Sequence, residues 1–392
     1  MWFKTKKTPI KCPLVVEKPI KNPRTFATMS TIICTVTNDL SQDQRMIRIC
    51  SSLQAAGYQV TLVGRQLPHS LPLVAQPFQQ HRLRCRFHAG KLFYLEYNLR
   101  LLYYLYRQQA TIINAVDLDT LLPAYLMSRL RGAVCVYDAH EYFTEVPEVI
   151  RRPRVQRLWS ALADWIIPSL QHAYTVAPAL AELMSERYGT PFAVVRNVPY
   201  RQTAPAERIV SPEKIIFYQG VLNEGRGLEA AILAIQQLPP TCILHIAGTG
   251  DLETKLHQLV QDHQLQDRVR FLGFVPPAQL PALTEKAWLG LNLLENTGLS
   301  YYYSLANKTF DYIQAGVPAL HMDFPEYRAL HDQYDTFELL ADLEVDTIAS
   351  AIQALINNPD RYLELQQNNL QSAKFLTWEE EEKELLAIYK NL

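Results

Sequence analysis

Short apolar runs rich in β-branched residues alternate with helix-like segments along this chain, and this alternation constrains the fold more than any other feature. The first series begins with "TIICTVT" at 31–37, followed by a helical pattern that stops at Gly57 and by another apolar run. A second series begins with "IIFYQG" at 215–220 and repeats the order. Repeated strand–helix–strand units indicate doubly wound parallel sheets, so we predict an α/β fold.

The length of the chain argues for two domains. Its 392 residues exceed what one hydrophobic core usually organises, and 48% of them are hydrophobic. The alternation breaks at 194–214, where proline and polar residues are typical of a linker. We therefore predict two Rossmann-like domains that face each other across a cleft, residues 29–198 and 199–375. A C-terminal helix at 376–392 is expected to cross back to the first domain.

Composition limits the class of protein further. The net charge of −1 gives no electrostatic reason to expect nucleic acid as a partner, and six cysteines without a CxxC pair suggest a reducing compartment and no zinc site. The sequence has no run of eighteen apolar residues, so we predict no membrane-spanning helix. Residues 1–28 are basic, lack the apolar core of a secretory signal and are expected to be a disordered tail, with Met29 a candidate natural start. We expect a cytoplasmic protein that needs no metal or cofactor.

Arg226 is the first candidate in the second domain. It lies between Gly225 and Gly227, directly after the apolar run at 215–220. Glycines let a backbone approach a ligand closely, and a guanidinium binds phosphate oxygens through two hydrogen bonds. A solvated arginine in a surface turn is the alternative. The nearby "GTGDL" at 248–252 lacks the third glycine of a dinucleotide fingerprint, so we interpret it as a tight turn.

The stretch "SLANKTFDYIQ" at 304–314 predicts a helix whose first free N–H groups attract an anion. Lys308 adds a full positive charge beside these groups. Asp311 lies three residues on and shares its face of the helix. A carboxylate beside a phosphate site would suit a neutral polyol such as ribose. The alternative is a Lys308–Asp311 surface ion pair of little energetic value.

In the first domain, Asp138, His140 and Glu141 follow one another at the end of an apolar run. On an extended chain Asp138 and His140 point the same way, so one can orient the other toward the cleft. A structural hydrogen bond is the alternative interpretation. The nearby Asp117-x-Asp119 pair could hold a divalent cation, but we favour Asp119 as the N-cap of the next helix.

Two further segments could contact an acceptor. Asn38, Asp39 and Arg45 occupy the first strand-to-helix loop, where they could meet acceptor hydroxyls or could cap the helix. The segment at 149–165 carries four arginines and two tryptophans, and either a solvated helix face or contact with anionic lipid would explain that pattern.

Taken in order, these segments resemble glycosyltransferase family 4, the group 1 glycosyltransferases of GT-B fold, over roughly residues 30–390. "YQGVLNEGRGLEAAILAI", "LHIAGTGDLETKL" and "LANKTFDYIQAGVPAL" match that family's donor domain. "TNDLSQDQRMIRICSSLQAAGYQVTLVGR" and "VYDAHEYFTEVP" are similar to its acceptor-side elements. The resemblance implies metal-independent transfer of a sugar from a nucleotide-diphosphate sugar, with retention at the anomeric carbon. The implied acceptor is a glycan, a lipid-linked molecule or a small molecule, in polysaccharide or glycoconjugate synthesis.

The resemblance also implies roles for individual residues. Arg226 and Lys308 would neutralise the donor diphosphate, Asp311 would contact the ribose, and His140 would lie beside the transferred sugar. The remaining expected donor contacts are Gly220, Asn223, Ser304, Leu305 and Ala306, and the expected acceptor contacts are Asn38, Asp39, Arg45 and Glu141.

Two positions depart from the family pattern. Val221 stands where many members have an arginine, and Tyr303 stands where they have the first glutamate of a spaced pair. These departures keep two other functions open. One is a nucleotide-sugar binding or scaffold protein without turnover, and the other is a sugar-nucleotide epimerase of the same fold.

Overall fold

The computed structural model describes residues 30–41, 43–68, 70–202 and 213–392. The predicted tail, Met29 and the central part of the predicted linker lie outside these residues. Within them the chain forms two parallel sheets, one in each half. The predicted α/β alternation is therefore confirmed. The predicted domain boundaries enclose the two sheets, and we retain them as a proposal.

The first sheet has seven parallel strands in the order β3-β2-β1-β4-β5-β6-β7. Its strands are β1 Thr31–Asp39, β2 Gln59–Gln66, β3 Gln79–Arg84, β4 Ile112–Val116, β5 Val134–Ala139, β6 His172–Thr175 and β7 Phe192–Val194. The helices between them are α1 Gln44–Ala55, α2 Gly90–Arg107, α3 Asp117–Arg131, α4 Pro147–Ile150, α5 Pro153–Ile166 and α6 Pro178–Tyr188.

The second sheet has six parallel strands in the order β10-β9-β8-β11-β12-β13. Its strands are β8 Lys214–Gln219, β9 Cys242–Ala247, β10 Val269–Gly273, β11 Leu289–Asn292, β12 Ala319–Met322 and β13 Glu338–Leu340. The helices of this half are α7 Leu228–Ala234, α8 Glu253–Asp262, α9 Leu280–Thr284, α10 Leu299–Tyr302, α11 Asn307–Gln314, α12 Pro325–Tyr334, α13 Val345–Asn357, α14 Pro359–Ser372 and α15 Trp378–Lys390.

Three inner strands, β4, β11 and β12, are buried along their whole length. Parallel strands covered by helices on both faces read as continuous apolar runs, which is why the sequence revealed them. Their carboxyl ends lead into the loops that carry the candidate site residues.

The C-terminal helix α15 returns to the first domain, as predicted. The indole Nε1 of Trp378 donates to Ser52 Oγ of α1 at 2.9 Å, and Trp378 is fully buried. Near the other end of α15, Tyr58 Oη donates to the carbonyl of Tyr389 at 3.1 Å. Arg196, just after β7, pairs with Glu381 at 2.7 Å. These contacts tie the C-terminal helix to the first half of the chain.

Candidate active site

A cavity of about 1150 Å³ lies between the two sheets and is lined by both halves of the chain. In open α/β sheets ligands bind beyond the carboxyl ends of the strands, which is where this cavity lies. Asn223 is in the same loop as Arg226 but is not among the lining residues. The predicted site residues that line the cavity are Asn38, Asp39, Arg45, His140, Glu141, Gly220, Arg226, Ser304, Leu305, Ala306, Lys308 and Asp311.

Lys308 lies in the first turn of α11 and is 9% exposed. Its Nζ is 3.8 Å from the centroid of the Tyr218 ring at the end of β8. Gly220, with φ +140°, passes so close that a Cβ there would lie 3.2 Å from Nζ. Burial is the main reason that the pKa of Lys308 lies well below its usual value. The positive charge of the neighbouring Arg226 lowers it further. The ammonium is therefore costly to keep charged until an anion is bound.

Arg226 is held in the loop between β8 and α7. Its guanidinium carbon lies 4.7 Å from the centroid of the Tyr301 ring, a cation–π contact. Its Nε is buried and has no hydrogen-bond partner. Among the described residues neither Arg226 nor Lys308 forms an ion pair with a carboxylate. Two neighbouring cations held by aromatic faces form an anion site, because an arriving anion supplies the charge and the acceptors that they lack.

The backbone before α11 is less available than the sequence suggested. The amide of Ser304 donates to the carbonyl of Tyr301 at 3.2 Å, and the amide of Ala306 donates to Tyr327 Oη at 3.1 Å. The amides of two expected donor contacts, Ser304 and Ala306, are therefore already hydrogen-bonded within the second half. Leu305 and the opening amides of α11 remain as the backbone donors at this edge of the cavity.

Asp311 does not form the predicted alternative, a surface pair with Lys308. It accepts a hydrogen bond from Gln219 Nε2 at 2.6 Å, and Gln219 in turn accepts from Thr284 Oγ1 at 3.0 Å. Burial is the main reason that the pKa of Asp311 rises to about 6, and Arg48 opposes this rise. The carboxylate is therefore fixed in the wall of the cavity and largely ionised at neutral pH.

Arg48 is a cavity residue that sequence reasoning missed. It lines the site from α1, lies 5.7 Å from the centroid of the Trp378 ring and donates to Asn197. Burial lowers its pKa to about 10, and Asp311 opposes that effect. The signal was its spacing of three residues from Arg45, which places both arginines on the same face of α1.

His140 follows β5 and is clamped between two carboxylates. Its Nε2 is 3.2 Å from Asp138 Oδ2, and its backbone N–H donates to Asp117 Oδ1 at 2.9 Å. Burial disfavours the imidazolium, but Asp138 and then Asp117 outweigh it and raise the pKa of His140 to about 9. The predicted pairing of Asp138 with His140 is present, and it holds a positive charge at the floor of the cleft.

Four first-domain residues singled out by the sequence have hydrogen-bond partners within that domain. Arg45 is 3% exposed and donates to Asp138 at 3.0 Å and to the carbonyl of Val195, so it supports Asp138 instead of awaiting an acceptor. Asp39 is already bonded to Ser41, Ser70 and Arg82.

Asn38 and Asp119 likewise form hydrogen bonds inside the first domain. Asn38 donates to Asp43 Oδ2 at 3.1 Å, and Asp43 caps α1. Asp119 is not an N-cap, because α3 already begins at Asp117; it accepts from Thr37 Oγ1 at 2.6 Å instead. Asn38 and Asp39 both line the cavity, and each also has a hydrogen-bond partner within the first domain.

Two glycines of "GTGDL" pack against the loop after β8. A Cβ on Gly248 would lie 1.8 Å from the carbonyl oxygen of Gly220, and one on Gly250 would lie 2.6 Å from the amide of Leu222. The close approach of two backbones explains these glycines, in agreement with the tight-turn interpretation.

The basic segment at 149–165 does not present one uniform face. Arg151 forms an ion pair with Glu224 of the second half, and Trp159 packs edge-on against Tyr94 and Phe143. Trp165, by contrast, is 57% exposed. No helix in the described ranges is long and apolar enough to cross a bilayer.

The fold is the one shared by two-domain GT-B glycosyltransferases. The family model for glycosyl transferases group 1 matches residues 201–372, and that for glycosyltransferase family 4 matches residues 43–199. Together these models span both halves of the chain, which belongs to the group 1, family 4 glycosyltransferases. A comparison with curated proteins found no match.

Solved structures of glycosyltransferases superpose over nearly the whole chain. Sucrose-phosphate synthase from Thermosynechococcus elongatus matches with a TM-score of 0.77 at 16% identity, covering 92% of this chain and 98% of that one. HepE from Anabaena, in complex with UDP and glucose, matches with a TM-score of 0.72 at 15% identity over 93% and 100%. WaaG, a glycosyltransferase involved in lipopolysaccharide biosynthesis, matches with a TM-score of 0.71 at 15% identity over 91% and 99%. At these identities the likeness concerns the fold.

Proposed function

We propose that this glycosyltransferase moves a hexose from a nucleoside-diphosphate sugar to an acceptor hydroxyl, with retention at the anomeric carbon and without a metal. The observation that carries the proposal is the pair Arg226 and Lys308, two neighbouring cations on one cavity without carboxylate partners among the described residues. A diphosphate would supply the charge that both side chains lack.

The proposed mechanism places the cations where charge develops. As the bond between sugar and diphosphate breaks, negative charge accumulates on the leaving group. Arg226 and Lys308 would interact more strongly with the separated diphosphate than with the intact donor, which lowers the barrier. The acceptor hydroxyl would attack from the same face as the leaving group, and the departing phosphate would take its proton. Closure of the cleft would exclude water.

The remaining roles follow from position. Asp311 would accept hydrogen bonds from the ribose hydroxyls, and His140 would lie beside the transferred sugar. Glu141 lines the first-domain side of the cavity, where we propose that the acceptor binds. Desolvation by the surrounding cavity walls and the nearby Glu148 carboxylate raise the pKa of Glu141 to about 7, so this carboxyl can exchange a proton near neutrality.

The acceptor class remains a proposal drawn from the sequence: a glycan, a lipid-linked molecule or a small molecule in polysaccharide or glycoconjugate synthesis. WaaG, one structural neighbour, acts in lipopolysaccharide biosynthesis, which supports that class. A cytoplasmic location and membrane contact through residues 149–165 also remain predictions.

The test begins with the donor. HepE, a structural neighbour, has been captured with UDP-glucose, so UDP and UDP-glucose are the first probes in a panel of nucleoside diphosphates and their sugars. A ligand that binds only the native state raises the melting temperature. Turnover is then measured as release of nucleoside diphosphate in the presence of EDTA, and the anomeric configuration of the product is assigned by NMR. No stabilisation by any member of the panel would overturn the proposal.

Two other outcomes favour the alternatives left open by Val221 and Tyr303. Donor binding without turnover on any acceptor would support a binding or scaffold protein. A changed sugar on the nucleotide in the absence of acceptor would support an epimerase.

A further inference from the structure

Helix α2 is apolar on two opposite faces. One face packs into the core through Phe93, Tyr97, Leu101 and Leu105. At 3.6 residues per turn a second apolar stripe lies about 180° from the first. That stripe consists of Leu92, Leu95, Leu99, Tyr103 and Tyr106, which are between 54% and 63% exposed.

Such a stripe is unusual on a helix at the surface. Surface helices normally carry charged and polar residues opposite the buried face, and a helix that is apolar all round is normally covered. Contiguous exposed apolar patches of this kind mark sites of interaction. The stripe continues onto Phe87, which precedes the helix and is 45% exposed, and onto a groove of about 740 Å³ between α2 and the edge strand β3.

Basic residues border the stripe. Arg84 and Arg86 are exposed just before the helix, and Lys91 and Arg107 are exposed at its two ends. Arg100 lies along its edge. Glu96 is the acidic residue of α2. It forms an ion pair with Arg100 and accepts hydrogen bonds from the amides of Arg86 and Phe87. Since Glu96 balances Arg100 alone, the other four basic residues leave the border positive.

We propose that this α2 surface, defined by the stripe Leu92, Leu95, Leu99, Tyr103 and Tyr106 with its basic border, rests on a membrane of anionic lipids. The helix would lie parallel to the membrane plane, with leucines and tyrosines at the headgroup boundary and the basic residues against lipid phosphates. Helix α2 carries four charged residues, which exclude an orientation across the membrane. It is also not apolar enough to cross a bilayer.

A second copy of the chain is a poorer occupant. An isologous dimer through α2 would bring the same basic border against itself across a two-fold axis, and like charges at close range repel. An anionic lipid surface instead complements both the stripe and its border.

The placement of α2 also orients the cleft. The helix follows the carboxyl end of β3, so its Leu92 end lies at the edge of the sheet that borders the cavity. A chain bound through α2 would therefore hold the mouth of the cleft close to the membrane surface. The inference concerns vesicle binding alone and does not depend on the proposed sugar transfer.

The experiment is flotation of the full chain with phosphatidylcholine vesicles, with and without phosphatidylglycerol. We expect binding to the anionic vesicles only. The double variant Leu95→Gln/Leu99→Gln should lower the partition constant about tenfold or more, because it removes apolar contact with the lipid. The matched control Leu363→Gln/Leu370→Gln, on exposed sites of α14, should bind like the parent. Circular dichroism and the melting temperature check that each variant is folded.

A second variant tests the contribution of the basic border separately. Arg86→Gln/Lys91→Gln leaves the stripe intact and should weaken binding to anionic vesicles about fivefold or more. The proposal is overturned if the parent does not bind anionic vesicles, or if both α2 variants bind like the parent. It is also overturned if Leu158→Gln/Trp165→Gln on α5 alone abolishes binding, or if light scattering shows a dimer that the α2 leucine variant dissociates.

Discussion

The ammonium of Lys308 rests 3.8 Å from the centroid of the Tyr218 ring, at the point where Gly220 leaves β8. An aromatic face attracts a cation without neutralising its charge. A carboxylate in the same place would cancel that charge and would repel a phosphate. The contact between Lys308 and Tyr218 therefore holds the amine where it becomes a cation when an anionic ligand binds.

Gly220 tests that arrangement. In Gly220→Ala the new methyl would lie 3.2 Å from Lys308 Nζ and would force the ammonium away from its position. We expect nucleoside diphosphate affinity, measured by calorimetry, to fall about tenfold, as for the loss of one charged hydrogen bond.

The control for this variant is Gly57→Ala. Gly57 also has positive φ, at +95°, but a Cβ there meets nothing within 4 Å. Both variants should lose on the order of 1–3 kcal/mol of unfolding free energy through backbone strain. Equal nucleotide affinity in the two variants would show that Gly220 does not position Lys308.

Asp311 offers a test of the ribose contact. Asp311→Asn replaces a charged acceptor by a neutral one, and a hydrogen bond to a charged group contributes about 1.5–3 kcal/mol. We expect the parent to bind UDP at least about tenfold more tightly than 2′-deoxy-UDP, and the variant to lose most of that preference.

The comparison variant is Asp323→Asn, which removes a carboxylate from an ion pair with Arg328 away from the cavity. It should keep the full preference for ribose. An unchanged preference in Asp311→Asn would assign the ribose to another group.

The parts of this architecture that follow from local pattern could be predicted. Buried parallel strands such as β4 are continuous apolar runs, and glycine marks the loops after them. Arg226 and Lys308 could be found because their positions, a glycine-bordered loop and a helix start, follow from neighbouring residues alone.

What could not be predicted depends on contacts between distant residues. The strand β3 is a polar edge strand, "QQHRLR", without an apolar signal, and it was missed together with α2. The burial of Arg45 depends on Asp138, which is ninety-three positions away. The hydrogen bond from Thr37 to Asp119 depends on the packing of α3 against β1. Sequence spacing alone does not contain these pairings.

The clamp on His140 predicts a pH dependence of stability. The pKa of His140 is about 9 in the folded protein and about 6.5 in an unfolded chain, so the folded state binds the proton more tightly. This stabilisation is fully present below about pH 6.5 and is lost as the pH rises through about 9. Asp117, whose pKa burial raises to about 8, changes stability in the same direction. Lys308, whose pKa is lowered by burial, changes stability in the opposite direction, so the contribution of His140 is measured as the difference in unfolding free energy between the parent and His140→Asn. We expect this difference, from urea titrations, to fall by on the order of 2 kcal/mol over this range.

In His140→Asn the decline should be clearly shallower, whereas the exposed-site control His88→Asn should follow the parent. An unfolding free energy that changes with pH equally in His140→Asn and in the parent between pH 6.5 and pH 9 would contradict a protonated His140 in the folded state.

The most direct test of the central claim is calorimetric titration of the nucleoside diphosphate that best stabilises the protein into Lys308→Met and Arg226→Gln. The matched control is Lys255→Met, which removes an exposed lysine paired with Glu229. We predict that each cavity variant loses affinity at least about tenfold, because each removes a charged hydrogen bond to phosphate. The melting temperature should be kept, because neither side chain has a carboxylate partner among the described residues that its removal would leave unpaired. Affinity equal to that of the control in both cavity variants would contradict the claim that Arg226 and Lys308 together bind the donor diphosphate.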